Sequence, residues 1–286
     1  MVLIIIRCAE IATKGKNRKN FEDMLLKNIR LMLKVNSINE YELKKSRGRI
    51  LLFLENITEK IVLLKKIFGI CSYSVAKETK QDISFIKEEV LSLSNDFTEE
   101  TKFRVTAKRT DKSFALDSVE INKIIVEFIV STTKAKVSLV NYDIQIFIEL
   151  FGGKAYIYNK IEQCYGGLPV GIQGRVGVLI KKDSLNLCLL NSILLMKRGC
   201  EIIPIGDECA DISVLNDYFH KLKLYTKPAK SDLEIKFQME KYYTISIALP
   251  FTSDNIKKEL GINGLQLSPL VGYTNAEIKI MEGKYL

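Results

Sequence analysis

A glycine-rich segment, Gly166-Gly167-Leu168-Pro169-Val170-Gly171, limits the fold of this 286-residue chain more than any other feature. Glycine and proline clustered in this way mark a linker between folded parts. Before the segment, strand and helix patterns mix in the irregular order typical of α+β structure. After it, a buried strand over 175–180, an apolar helix over 185–196 and a strand over 201–205 predict the β-α-β opening of an open α/β sheet.

The part before the linker divides into two smaller units. The predicted strands of the first unit cover 2–7, 41–45, 49–54 and 70–76, and its predicted helices cover 21–33 and 57–68. Their order along the chain is that of a ferredoxin-like fold. A second α+β unit follows, so we predict domains at 1–76 and 77–165, a linker at 166–174 and a shortened α/β domain at 175–286. In that last domain the pattern also predicts helices over 211–224 and 254–260 and a strand over 243–249.

The charge of the chain is positive and uneven. Forty-three lysines and arginines face 34 acidic residues, which gives a net charge of +9. Residues 1–165 hold 28 of the basic and 21 of the acidic side chains. A positive field concentrated on one part of a chain suits a polyanion such as RNA. A lysine-rich solvated surface explains the same composition equally well, so charge alone leaves both interpretations open.

The sequence points to neither a metal site nor a hydrolase. Its six cysteines form no C-x-x-C pair, and His220 is the only histidine, whereas zinc sites need tighter clusters of ligands. A serine–histidine–aspartate triad would have to use His220, which lies in a stretch typical of a surface helix. No apolar run approaches the ~20 residues of a membrane span. We therefore predict a cytoplasmic protein with no metal site and no assigned catalytic residue.

Five ordered motifs carry a family resemblance across residues 1–206. These motifs are Glu10-Ile11-Ala12-Thr13-Lys14-Gly15-Lys16-Asn17-Arg18, Phe103-Arg104-Val105-Thr106-Ala107-Lys108-Arg109, Asn141-Tyr142-Asp143-Ile144 with Gly153-Lys154-Ala155-Tyr156, the glycine-rich linker, and Met196-Lys197-Arg198-Gly199-Cys200-Glu201. Together they resemble the tRNA 4-thiouridine synthase family, also known as the thiamine-biosynthesis sulfurtransferases. The resemblance implies a ferredoxin-like domain, a THUMP domain and an adenine-nucleotide α-hydrolase domain with a PP-loop. It also implies that the first two domains hold tRNA by its acceptor stem and 3′-CCA end, and that the third activates uridine with ATP before sulfur is delivered.

The resemblance and the basic side chains together nominate a set of residues for contact with tRNA. The set is Lys14, Lys16, Asn17, Arg18, Arg47, Arg49, Arg104, Thr106, Lys108, Arg109, Lys112 and Lys154. The first four lie between a strand and a helix, where the helix N-terminus adds donors for phosphate. On a strand, Arg104, Thr106 and Lys108 share one face.

The resemblance fails at the nucleotide loop. The family pattern after the first strand of the third domain is Ser-Gly-Gly-x-Asp-Ser, whose glycines let backbone N–H groups approach phosphates. Here the corresponding segment is Lys181-Lys182-Asp183-Ser184-Leu185-Asn186, which contains no glycine. The candidate nucleotide-binding residues are Leu179, Ile180, Lys181, Lys182, Asp183 and Ser184. Without glycine the loop cannot readily adopt positive φ angles. We therefore expect no bound cofactor, with ATP the cofactor only if the divergent loop still works, and we expect Asp183 or Ser184 to cap the next helix.

Three functions follow, and the first is favoured. The chain is a tRNA-binding protein whose adenylation site has decayed, so that a separate enzyme supplies activation or sulfur. Alternatively it is an active ATP-dependent tRNA sulfurtransferase with a divergent loop, completed across a homodimer. In the third interpretation the α/β domain is a dimeric scaffold or a docking surface for a partner.

Overall fold

A computed structural model describes residues 1–12, 15–46, 48–56, 59–110, 114–219, 226–244, 246–252 and 265–286. Its strands are β1 Val2–Arg7, β2 Tyr41–Ser46, β3 Arg49–Leu54, β4 Ser72–Lys80, β5 Lys102–Arg109, β6 Lys136–Val137, β7 Ile144–Phe151, β8 Lys154–Tyr158, β9 Glu162–Gln163, β10 Arg175–Ile180, β11 Glu201–Gly206, β12 Lys227–Pro228, β13 Ser246–Ala248 and β14 Leu265–Leu267. Its helices are α1 Ala9–Ala12, α2 Arg18–Val35, α3 Ile83–Ser94, α4 Ser118–Thr133, α5 Leu185–Lys197, α6 Asp232–Lys241 and α7 Asn275–Tyr285. No helix in these ranges is both long and apolar enough to span a bilayer.

The chain forms two compact units, which interleave along the sequence. The first contains residues 1–7, 40–59 and 72–163, and the second contains 8–39, 60–71 and 164–286. The domain boundaries expected from the sequence stay predictions.

The first unit is built on one continuous sheet. Its strand order is β2-β3-β1-β4-β8-β7-β5-β6, with β9 paired to β4. Strand β4 pairs with β1 through Ser72–Ala76 and with β8 through Lys77–Lys80, so one strand belongs to both halves of the sheet. The sequence predicted that this strand would end at Ala76, whereas it continues through four polar residues to Lys80. These four residues pair with β8, which is far away in the sequence, so no pattern among neighbouring residues predicts the longer strand.

Helices α3 and α4 cover one face of the β5–β7 half. Alternate residues of β5, namely Phe103, Val105 and Ala107, are buried against the apolar stripe of α4 that includes Ile121 and Ile125. Helix α4 begins at a capping box, in which the Asp117 side chain accepts a hydrogen bond from the backbone N–H of Glu120 and the Glu120 side chain accepts one from the backbone N–H of Asp117. The alternation along β5 therefore puts its other side chains on the opposite face of the sheet.

The second unit contains a five-stranded parallel sheet of order β12-β11-β10-β13-β14. The predicted β10-α5-β11 opening is present. Within the linker, Gly167 has φ +79°, and a Cβ there would overlap the carbonyl oxygen of Lys197 at the end of α5. Only glycine allows this approach, so the linker packs tightly on the α/β domain.

Two predicted α-helices were wrong. Residues 59–66 form a 3-10 helix. Within the predicted 211–224 helix, the described part contains only the 3-10 helix Ser213–Asp217. The turns here are tighter than those of an α-helix, since the N–H of Leu215 donates to the carbonyl of Ile212 and that of Tyr218 donates to the carbonyl of Leu215. The predicted helix 254–260 and His220 lie outside the described residues.

Candidate functional site

The glycine-free loop after β10 takes an ordinary conformation. Lys181 is extended with φ −125°, a 3-10 turn covers Lys182–Ser184, and α5 follows directly. Ser184 occupies the N-cap position, but its side chain makes no capping hydrogen bond and lies 3.8 Å from the Cys188 sulfur. The expected side-chain cap is therefore absent at Ser184. Leu179 and Ile180 are buried strand residues, whereas Lys181, Lys182 and Asp183 are exposed.

The backbone amides of this loop donate within the chain. The N–H of Lys181 donates to the Cys188 sulfur at 3.3 Å, and that of Lys182 donates to the Asp207 carboxylate at 2.9 Å. The N–H of Ser184 donates to the carbonyl of Lys181. An internal carboxylate thus takes one of the donors that a phosphate oxygen would need.

Asp207 reaches the loop because β10 and β11 end side by side. Gly206 has φ +131°, and a Cβ there would overlap the carbonyl oxygen of Ile180. The same carbonyl accepts the N–H of Asp207 at 3.0 Å. Glycine at this position therefore lets the Asp207 carboxylate reach the backbone amide of Lys182.

The thiol nearest the loop is poorly suited to nucleophilic attack. Burial raises the pKa of Cys188, and this outweighs the opposing contacts from Lys181 and Ser184. A nucleophilic cysteine needs the opposite shift, since the thiolate is the reactive form.

The second group of predicted residues lies on the face of the sheet opposite α3 and α4. The Arg104 guanidinium lies 5.7 Å from the ring centre of Tyr142 and donates to the carbonyl of Leu139 at 3.4 Å. Thr106 accepts a hydrogen bond from Gln145 on the neighbouring strand at 2.7 Å. Lys108 is exposed, and its ammonium has no partner among the residues the structure describes. The structure thus groups Arg104, Thr106 and Lys108 on one polar face, as the sequence predicted.

Arg109 and Lys154 have different surroundings. Arg109 lies on the helix-covered face, where its guanidinium donates to the carbonyls of Phe114 at 2.6 Å and Leu116 at 3.1 Å. It therefore holds the segment that leads into α4. Lys154 forms an ion pair with Glu78 at 3.4 Å.

Arg49 is part of an ion network. The Glu149 carboxylate forms ion pairs with two arginines: its Oε1 lies 2.7 Å from Arg7 Nη2, and its Oε2 lies 3.0 Å from Arg49 Nη2. Tyr158 donates its hydroxyl to Glu149 at 2.6 Å, and Arg7 also donates to Ser74. The network joins β1 and β3 to β7 and β8, so Arg49 has a structural role that sequence reasoning missed. A lone glutamate within the apolar strand β7 was the available signal, because a buried carboxylate needs partners.

The N-terminal group is partly described. Lys16 and Asn17 are exposed just before α2, and Arg18 pairs with Glu22 at 2.7 Å. Asn17 occupies the N-cap position of α2 without a side-chain capping bond. Lys14, Arg47 and Lys112 lie outside the described residues.

Comparison with known proteins identifies the family. A family model described as the ThiI ferredoxin-like domain matches residues 3–74, and the THUMP domain model matches residues 80–160. A probable tRNA sulfurtransferase of Thermococcus kodakarensis is 30% identical over 99% of this chain and 80% of its own length. This chain belongs to the tRNA sulfurtransferase family. The family resemblance and the fold class predicted from the sequence are thereby confirmed.

Other sulfurtransferase relatives are longer. A probable tRNA sulfurtransferase of Mycoplasmopsis synoviae is 35% identical over 70% of this chain, and the match covers only 50% of that relative's length. It spans 65% of the relative from Methanocaldococcus jannaschii, with 33% identity.

Solved structures match the whole chain. The crystal structure of PH1313 from Pyrococcus horikoshii aligns with a TM-score of 0.85, 31% identity and 99% coverage of both chains. A 4-thiouridine synthetase crystallised with RNA and bound ATP aligns with a TM-score of 0.77 and 23% identity, covering all of this chain and 85% of that one. At that identity the second match shows the sulfurtransferase fold alone.

Proposed function

We propose that this chain binds tRNA by its acceptor stem and 3′-CCA end for thiolation, and that its own ATP-dependent adenylation site is lost. The arrangement after β10 carries the proposal. Lys181 and Lys182 donate their backbone amides to Cys188 and Asp207, and the loop has no glycine to redirect them. A triphosphate bound at a strand–loop–helix junction needs such amides free. The residues present do not fit ATP, so no reaction step is assigned to it.

Membership of the family and the polar face of β5 support the tRNA part of the proposal. The THUMP model matches residues 80–160, and the 4-thiouridine synthetase of similar fold was crystallised with RNA. Within the matched range, Lys108 offers an exposed ammonium and Arg104 a guanidinium beside an aromatic ring. Lysine suits phosphate, and arginine paired with an aromatic ring suits an unpaired base. In this proposal a separate enzyme supplies activation or sulfur.

The binding half is tested by titrating labelled tRNA at several salt concentrations. The logarithm of affinity should fall linearly with the logarithm of salt concentration, because bound lysines and arginines displace counterions. Lys108→Glu should lower affinity about tenfold and reduce the salt slope by about 1. Lys123→Glu is the matched control, since Lys123 is an exposed lysine on the solvent side of α4. Equal losses of tRNA affinity in both variants would refute the assignment of tRNA binding to the polar face of β5.

The chemical half is tested in the same tubes by tRNA-dependent release of pyrophosphate from ATP. We expect binding with no release above background. Release that disappears in Asp183→Ala would mean that the divergent loop still works, and the chain would then be an active sulfurtransferase.

A further inference from the structure

Two cysteines from distant parts of the sequence lie opposite each other where β4 meets β9. Ser72 is paired with Gln163 in this antiparallel ladder. The next residues along the two segments are Cys71 and Cys164, and the backbone N–H of Cys164 donates to the carbonyl of Cys71 at 2.8 Å. Directly opposite residues of antiparallel strands share a face and have Cα atoms about 4.5–5.5 Å apart. A disulfide needs Cα atoms within about 4.4–6.8 Å, so the backbone suits one here.

Three backbone hydrogen bonds hold the segments that carry the two thiols. Besides the bond between the cysteines, the N–H of Gly166 donates to the carbonyl of Ile70 at 2.9 Å, and that of Gly69 donates to the carbonyl of Gly166 at 2.9 Å. A Cβ on Gly166 would lie 3.9 Å from the Cys71 sulfur, so this sulfur lies beside segment 164–166. Both cysteines are partly exposed, and a small solute can therefore reach them.

The two cysteines belong to a row of three. Arg7 is paired with Ser72 on the other side of β4, and the next residue, Cys8, follows as the neighbour of Cys71 on that side. Half of the six cysteines thus come together from positions far apart in the sequence. Within the residues that the structure describes, no three side chains of histidine, cysteine, aspartate or glutamate are arranged to hold a metal ion. Disulfide chemistry needs only two thiols, and the row provides them.

We propose that Cys71 and Cys164 are a reversible disulfide pair that exchanges with small disulfides such as oxidised glutathione. The Cys71 thiolate attacks the sulfur–sulfur bond of oxidised glutathione, which forms a mixed disulfide and releases one glutathione thiolate. The Cys164 thiolate then attacks the Cys71 sulfur and releases the second glutathione thiolate. The two cysteine thiols together lose two protons and two electrons, which convert oxidised glutathione to two molecules of its thiol form.

The bridge would change the stability of the chain. It would close the loop between residues 71 and 164, which contains the whole of the THUMP match, residues 80–160. A cross-link across so long a loop removes conformational entropy from the unfolded chain. The oxidised protein should therefore unfold at a temperature higher by at least about 4 °C than the reduced protein.

The test uses the full chain, first reduced and then equilibrated with mixtures of oxidised and reduced glutathione. Remaining thiols are blocked with iodoacetamide, and the chain is digested with trypsin without reduction. Trypsin places the three cysteines of the row on separate peptides, 8–14, 67–77 and 161–175. We expect mass spectrometry to find the peptides 67–77 and 161–175 linked as the main product. Dithiothreitol should separate them, and oxidation in urea should abolish their predominance because the unfolded chain does not hold them together.

A pair of variants tests the effect on stability. Cys164→Ser removes one thiol of the pair, and Cys200→Ser is the matched control because Cys200 is also partly exposed but lies outside the row. On oxidation the control should lose two thiols per chain and gain at least about 4 °C in its unfolding midpoint, whereas Cys164→Ser should gain nothing.

Three results would overturn the inference. These are a main product that links peptide 8–14 to 67–77, glutathione attached to Cys71 and Cys164 with no bridge between them, and a bridge between two chains. The linked peptides are measured in the unmutated chain, so the test stays decisive even if Cys164→Ser does not fold.

Discussion

Replacing Glu149 with glutamine tests the ion network that joins the two halves of the first sheet. The carboxylate is 8% exposed, and its partners Arg7 and Arg49 are 17% and 20% exposed. Glutamine keeps the shape but removes the charge, and it turns one acceptor oxygen into an amide donor. That amide would face the arginine or tyrosine groups, which are also hydrogen-bond donors. The loss of the negative charge would also leave two guanidinium groups without a counterion.

The expected cost follows from this geometry. Removing one partner of a buried ion pair costs about 3–5 kcal/mol. Because water still reaches both guanidinium groups, we expect the lower end, about 3 kcal/mol. For a protein of this size that corresponds to a midpoint of thermal unfolding lower by about 6–12 °C.

The effect should depend on pH. Burial alone raises the pKa of Glu149, but the charges of Arg7 and Arg49 and the hydrogen bonds from Tyr158 and Arg7 outweigh it and hold the pKa below its usual value. Such a group stabilises the fold above its unfolded pKa of about 4.3, and this stabilisation is lost as the pH falls through the folded pKa. Glutamine does not titrate, so the two proteins should differ fully at pH 7, and the difference should shrink as the pH falls below the unfolded pKa and towards the lowered folded pKa.

Thermal unfolding followed by far-ultraviolet circular dichroism, between pH 3 and pH 7, measures both effects. Glu127→Gln serves as the control, because Glu127 is exposed on α4. A Glu149→Gln protein as stable as this control at pH 7 would refute the reasoning, as would a loss of stability that stays constant with pH.

Three further predictions concern Tyr158, two glycines and two cysteines. Tyr158→Phe removes one hydrogen bond to a carboxylate and should cost about 1.5–3 kcal/mol in urea unfolding, less than loss of the carboxylate itself. Gly206→Ala should lower the free energy of unfolding by more than about 2 kcal/mol, because the added Cβ would overlap the end of β10. Gly283→Ala, at an open position in a helix, should raise it by up to about 1 kcal/mol. Equal effects of the two substitutions would contradict the argument that Gly206 avoids strain. Burial raises the pKa of Cys188, whereas Cys209 is exposed, so iodoacetamide at pH 8 should alkylate Cys209 before Cys188. Mass spectrometry measures the alkylation of each cysteine, and equal rates would contradict the burial of Cys188.

The features that the sequence predicted correctly depend on neighbouring residues. Alternation along Lys102–Arg109 was enough to put Arg104 and Lys108 on one face, because side chains of a strand alternate with a period of two. The order of strand, helix and strand after the linker likewise follows from continuous apolar runs.

The features that it missed depend on residues far apart along the chain. Arg49 meets Glu149 across 100 positions, and Lys182 meets Asp207 across 25. Before the sheets are assembled, an arginine beside a hairpin glycine resembles a phosphate ligand, and an aspartate after a strand resembles a solvated loop residue. Only the strand pairings reveal their partners: β3, β1, β4, β8 and β7 are neighbours in that order in one sheet, and β10 pairs with β11 in the other.

Strand β4 makes the two matched family modules inseparable. The ferredoxin-like match ends at residue 74 and the THUMP match begins at residue 80, yet both points lie within this one strand. A break between them would leave Leu3 and Ile4 of β1, and most of β8, without their partners and so able to recruit a foreign strand. Gene fragments encoding either module alone would therefore yield aggregating products, and the pair is expected to be transferred, duplicated or lost in evolution as a single piece.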